Sequence, residues 1–151
     1  MDFSHAFDCV VHSKLLSKLP NFGITGLLLE WIEVFLSDRT QCVVIEYCFS
    51  DWCPVISGVP QGSVLGPLLF VLFIDDIGKI CSADVTHQPF ADDLKLYTSV
   101  VSGSTGSNLQ ESLDKLCVWC SNWQLTVNIA KCYVHHLGKN NQHIPYFFLV
   151  L

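Results

Sequence analysis

The spacing of apolar residues changes several times along this chain, and the changes mark out its elements. Residues 11–19 and 24–36 predict helices. In the second, Ile24, Leu27, Leu28, Trp31, Phe35 and Leu36 follow helical spacing as the inner face, while Glu30 and Glu33 face out. Residues 40–49 (TQCVVIEYCF) are rich in β-branched and aromatic side chains and predict a strand, paired with a second at 52–56 across a turn near Ser50–Asp51. Gly58 to Gly62 is a loop punctuated by Gly and Pro. From Ser63 to Ile80 nearly every residue is apolar until Asp75, which predicts one helix buried on most sides. Residues 85–91 and 94–100 predict two short strands joined at Asp92–Asp93, and Ser102–Ser107 (SGSTGS) a flexible loop. An amphipathic helix follows at 108–123, with Leu109, Leu113, Leu116 and Trp119 or Trp123 inward, and then a strand at 131–137. No internal repeat interrupts this irregular alternation, so the expected fold class is α+β in two layers.

The bulk numbers narrow the function. The chain has 151 residues, one domain's worth, and 50% of them are hydrophobic, ample for a packed core. The net charge of −6 with only eight Lys and Arg is unexpected for a nucleic-acid protein, because polyanion binding rests on cations that neutralise phosphates. The longest apolar run, Val64–Ile74, contains Gly66 and Pro67 and falls well short of the roughly 20 residues that span a bilayer. Met1 is followed at once by Asp2 and a mixed sequence, so no signal peptide is expected. Eight cysteines, mostly within apolar stretches, then read as buried reduced thiols of an intracellular protein, nucleus or cytoplasm left open. Cys117 and Cys120 form a CxxC, but no second pair stands at zinc-finger spacing.

The candidate chemistry begins at Asp92–Asp93. Adjacent acids repel, and a bound cation is one way to relieve them; hard carboxylate oxygens suit Mg²⁺. A solvated turn, where Asp is a favoured residue, explains a lone pair equally well. Asp75–Asp76 is a second such pair, closing the 63–80 helix, and is expected to point into solvent because carboxylates are unfavourable near a helix C-terminus. The six histidines have no ligand spacing, and His135 and His136 would face opposite sides of their strand.

Three stretches taken together change the weighing. DFSHAFD at 2–8, SGVPQGSVLGP at 57–67 and FADD at 90–93 resemble, in order, the motifs of reverse transcriptases, most closely those of non-LTR (LINE, jockey-like) retrotransposons. GITGLLLEWIEVFLSDRTQCVVI, LTVNIAK at 125–131 and KCYVHHLGKNN are similar to that group as well, so the resemblance reaches about His143. It implies a polymerase palm, an antiparallel sheet backed by helices, with the fingers and thumb missing. It also implies RNA-directed DNA polymerisation by two-metal transfer from a dNTP to a primer 3′-hydroxyl on an RNA template. In that scheme Asp2 and Asp92, with Asp93 beside them, resemble the carboxylates that hold two Mg²⁺ ions, Mn²⁺ being able to substitute. Phe7 resembles the steric gate against a 2′-hydroxyl. Gln61 and Gly62 resemble the motif facing the incoming nucleotide, and Lys131 the lysine that protonates pyrophosphate. Asp8 belongs to the motif without being a metal ligand.

Departures from the family pattern matter too. His5 stands where Lys is usual, and the strand that should lead into Asp2 is missing, leaving a metal ligand near a chain end. Pro89 falls in a strand expected to be central, where it would remove a ladder hydrogen bond. The truncated strand, the net charge of −6 and Pro89 together lead to the expectation that the isolated chain is inactive. The rival reading is an inert retrotransposon relic or a module that binds nucleic acid or protein without catalysis.

Overall fold

The computed structural model describes residues 1–100, 106–139 and 141–148. They combine helices with small antiparallel sheets, an α+β composition. The chain divides into two compact units: Phe7–Phe73, and Met1–Ala6 with Ile74–Leu151.

The 7–73 unit opens with α1 (His12–Lys18), a 3₁₀ turn (Leu19–Phe22) and α2 (Leu27–Leu36). Both helices lie where the spacing predicts, but α2 buries a different stripe. Ile32 and Leu36 are buried and Leu29 half-buried, whereas Leu27 is 84% exposed and Leu28 and Trp31 also face out. LLLEWIEVFL is apolar on nearly every side, so period alone does not select the inner face. Trp31 and Phe35 stack on each other at 5.8 Å.

Residues 40–49 are not one strand. The chain forms β1 (Thr40–Gln41), β2 (Val44–Ile45), β3 (Cys48–Phe49) and β4 (Cys53–Pro54). β2 pairs with β3, and β1 with β4, so one short hairpin is nested inside another. The reversal falls at Glu46 and Tyr47, both at positive φ (55° and 117°), rather than at Ser50–Asp51. Neither is a usual residue for that conformation.

The apolar run 63–80 splits into α3 (Leu65–Ile74) and α4 (Ile77–Ile80) at an Asp75–Asp76 turn. α3 is not buried all round: Leu69, Phe70 and Phe73 are buried, while Leu68 and Val71 are exposed. Phe70 is stacked on Phe7, centroids 4.7 Å apart. The buried Lys18 donates from Nζ to the Phe73 carbonyl at 2.6 Å and lies 5.1 Å from that ring's centroid, so α1 supplies a cation to the last turn of α3.

In the other unit, β5 (Thr86–Phe90) and β6 (Asp93–Tyr97) form a hairpin whose turn is Ala91–Asp92, one residue earlier than predicted. Pro89 does not sit in a central strand: among the described residues β5 pairs only with β6. α5 (Ser107–Trp123) follows the prediction, burying Leu116, Cys117, Trp119 and Cys120, with Leu109, Leu113 and Trp123 half-buried. The predicted SGSTGS loop lies largely outside the described residues. Ser112, fully buried on α5, accepts from the Ser82 amide at 3.0 Å. Asp76 does not point into solvent; it accepts a hydrogen bond from the Trp119 indole at 3.1 Å.

No strand forms at 131–137. Residues 129–131 are a 3₁₀ turn, and 132–137 are irregular, with no ladder partner among the described residues. His135 and His136 therefore have no strand faces to share, and His136 packs on His143, centroids 4.9 Å apart. The thiols also depart from expectation. None of the eight forms a disulfide, but only Cys117 and Cys120 are buried, and Cys48 and Cys53 are exposed. Burial, reinforced by Cys117, pushes the Cys120 thiol up to about 12, as suits an unreactive core thiol. No helix among the described residues is long and apolar enough to cross a membrane.

Candidate active site

The residues singled out by the sequence fall into two groups, one in each unit. The acidic group is built on the β5–β6 hairpin. β6 is flanked on its free side by residues 1–3: the Met1 amino group donates to the Leu94 carbonyl at 2.8 Å, and the Leu94 amide returns a bond to the Met1 carbonyl at 2.9 Å. Asp2 then bridges Asp93, and Phe3 bridges Val127. The Asp2 carbonyl takes the Asn128 amide at 2.9 Å, and the Ser4 amide reaches the Thr126 carbonyl at 2.7 Å. Asp2 is therefore held on both sides by backbone ladders instead of hanging loose.

This register matters for charge. Because Met1 and Leu94 exchange both bonds, the next pair, Asp2 and Asp93, is a non-hydrogen-bonded one. Such pairs stand roughly 4.5 Å apart at Cα, with side chains on one face and closer than in the alternate pairs. Two like charges directly opposite destabilise a ladder, and a cation answers that. Lys131, on the 3₁₀ turn after Asn128, supplies one: its Nζ lies 3.5 Å from Asp2 Oδ2, with side chains 64% and 19% exposed respectively. A pair this open contributes at most about 1 kcal/mol. Asp92 occupies the second turn position, half-buried, and Asp93 is exposed.

Among the described residues no three His, Cys, Asp or Glu side chains converge as a closed metal cage requires. The opposed Asp2 and Asp93 would still suit a hard divalent ion, since Mg²⁺ is commonly held by one or two carboxylates and completed by substrate phosphates and water.

The second group lies in the 7–73 unit. Phe7 is half-buried against Phe70. The loop from Ser57 to Gln61 is stitched to residues 7–12: the Val59 amide donates to Phe7, the Gly58 amide to Val10, and Ser57 Oγ to the Asp8 carbonyl, each at 2.8 Å. His12 Nε2 lies 2.7 Å from the Gly58 carbonyl. Gly58 has φ +89°, and a Cβ there would come within 2.9 Å of Asp8 Cα and the Phe7 carbonyl, so only glycine fits. Gly62 also has positive φ, 80°, but a Cβ there would meet open space. Gln61 donates from Nε2 to Asp8 Oδ1 at 3.0 Å. That contact gives Asp8 a structural partner which sequence reasoning missed, because nothing in the spacing links positions 8 and 61.

The sequence profile of the reverse transcriptase (RNA-dependent DNA polymerase) family matches residues 1–148. The chain belongs to the reverse transcriptase family. It is 36% identical over 141 residues to the RNA-directed DNA polymerase from mobile element jockey of Drosophila melanogaster, a match covering 87% of this chain and 15% of that protein. A probable RNA-directed DNA polymerase from transposon BS of the same organism is 35% identical over 144 residues, and the jockey polymerase of Drosophila funebris 32% over 139, with the same coverages. This reverse transcriptase segment thus spans about 15% of the length of these relatives. Its likeness to non-LTR retrotransposon polymerases extends over most of the chain.

Proposed function

We propose that this chain is the palm portion of an RNA-directed DNA polymerase of a jockey-like retrotransposon, extending a primer 3′-hydroxyl with dNTPs on an RNA template. The observation that carries the reading is the Asp2–Asp93 cross-strand pair beside the Asp92 turn, with Lys131 as its counter-charge. Asp2, Asp92 and Asp93 would supply the carboxylates for divalent ions, which when bound would lower the pKa of the attacking hydroxyl and take up charge on the leaving phosphates. Lys131, close to the acids, is suited to give a proton to departing pyrophosphate. Catalysis here is placement and electrostatics, so residues that fix backbone register count as much as the ligands.

Titration of the purified chain with Mn²⁺ tests this. Wild type is expected to bind weakly, Asp93→Asn and Asp92→Asn not at all, and Lys131→Gln up to about fivefold more tightly, since the competing cation is gone. Equal binding by wild type and both acid variants would remove the metal reading.

Phe7 would act as the gate against ribonucleotides. In a longer polymerase carrying this chain, Phe7→Ala is expected to raise ribonucleotide use relative to deoxynucleotide use, read as a ratio of kcat/KM values. An unchanged ratio would leave Phe7 as packing for Phe70.

A second reading, a segment without catalysis of its own, is favoured by the net charge of −6. A polyanionic template and primer are repelled by this balance. The isolated chain is expected to give no extension of a labelled DNA primer on an RNA template at low salt. Template-dependent extension lost in Asp92→Asn would contradict that.

A further inference from the structure

We infer that Asp8 is a positioning residue that fixes the carboxamide of Gln61, turning Gln61 into a hydrogen-bond acceptor for an N–H or O–H group of the bound nucleotide. This rests on the reading of the Gln61 loop as the nucleotide-facing one. The argument begins with donor chemistry. A carboxylate only accepts, whereas a carboxamide both donates and accepts. Facing Asp8 Oδ1 at 3.0 Å, Gln61 must present its NH₂. The opposite edge of the amide, Oε1, is then the outward group, and it accepts nothing from any described residue. Gln61 and Asp8 both line a cleft of about 510 Å³, together with Arg39, Gln41 and Ser57. That size suits a small ligand.

One exposed hydrogen bond would not hold a side chain by itself. Here the frame is already rigid: Ser57, Gly58 and Val59 bond the backbone of Phe7, Asp8 and Val10, and Gly58 brings the two segments into a contact that no Cβ would permit. Asp8 and Gln61 therefore meet at a fixed separation, and the charge-assisted bond selects one of the two amide orientations. The cleft thereby offers an acceptor at Oε1 and, at Arg39, a guanidinium with no ion-pair partner among the described residues.

The test uses the whole chain, ¹⁵N-labelled, and follows the Gln61 side-chain amide by NMR. Asp8→Ala is expected to move both Nε2 protons to the positions of a free glutamine, while the backbone amides of Gly58 and Val59 stay in place. Asp8→Asn keeps an acceptor and is expected to restore most of the wild-type signal. Side-chain resonances unmoved by Asp8→Ala would overturn the proposal. So would equal movement of the Gly58 and Val59 amides, which would make Asp8 a support of the loop as a whole. In a longer polymerase carrying this chain, Asp8→Ala and Gln61→Ala are each expected to raise the dNTP KM roughly fivefold, the effect of one hydrogen bond, with kcat little changed. The double variant is expected to be no worse than either single one, and additive losses would sink the coupling. If Gln61→Ala leaves KM unchanged, the nucleotide reading of the cleft fails, and the NMR result alone decides whether Asp8 orients the amide.

Discussion

Asp2→Asn, in a longer jockey-like polymerase carrying this chain, is expected to lower primer extension by about a hundred- to a thousandfold, the loss typical when one transition-state electrostatic contact is removed. The substitution is close to isosteric. The backbone bonds that hold residue 2, from Asn128 to its carbonyl and through Met1 to Leu94, do not involve the side chain and should persist. What changes is charge. Asp93 loses its opposed carboxylate, and Lys131 loses the partner 3.5 Å away. If the acids serve only to solvate a turn, removing one should relieve repulsion and leave activity within about tenfold, an outcome that would refute the assignment. Circular dichroism and template binding, measured alongside, should match wild type.

The second large effect is on stability. Phe70→Ala is expected to destabilise the 7–73 unit by about 3–5 kcal/mol, the range for truncating a buried Phe. Phe70 has no exposed surface, sits on α3 beside Leu69 and Phe73, and carries the ring of Phe7. Domain stabilities run about 5–15 kcal/mol, so this one change removes a large share. Urea unfolding would measure it through the midpoint at constant slope. A loss under about 1 kcal/mol would mean that neighbouring side chains collapse into the space. Phe7 would also lose its seat, so a sugar gate built on it would loosen even in molecules that remain folded.

Helix positions were the most legible part of the fold, because α1, α2 and α5 combine helical spacing with clear polar breaks. Which side they bury was less legible. In α2 the apolar residues nearly encircle the helix, and only packing chooses Ile32 and Leu36 over Leu27 and Trp31. The nested hairpins could not be read because Glu46 and Tyr47 turn the chain without Gly, Asn or Pro to announce it. Asp75–Asp76 could have been read as a break in the apolar run, since paired acids favour turns over helix interiors. The strand expected at 131–137 had the right residue types but no partner among the described residues, and β propensity reflects packing against neighbours more than backbone preference. Among the candidate site residues, the acids were picked out by their motifs. The opposition of Asp2 and Asp93, the bond from Gln61 to Asp8 and the bond from Lys18 to Phe73 were not, because each joins positions far apart in sequence with no local signature.

Pro89 has a consequence for how this molecule meets others of its kind. It pairs with Leu94, whose backbone groups are spent on Met1, so the backbone edge of Pro89 faces away from β6. On the outer side of β5 another strand would seek a donor there and find a pyrrolidine ring. Proline is one of the devices by which exposed sheet edges escape unwanted pairing. The residue that would be a flaw inside the sheet is, at what is its rim among the described residues, a stop: it would end the ladder on the hairpin that carries the acids and hinder stacking of copies edge to edge.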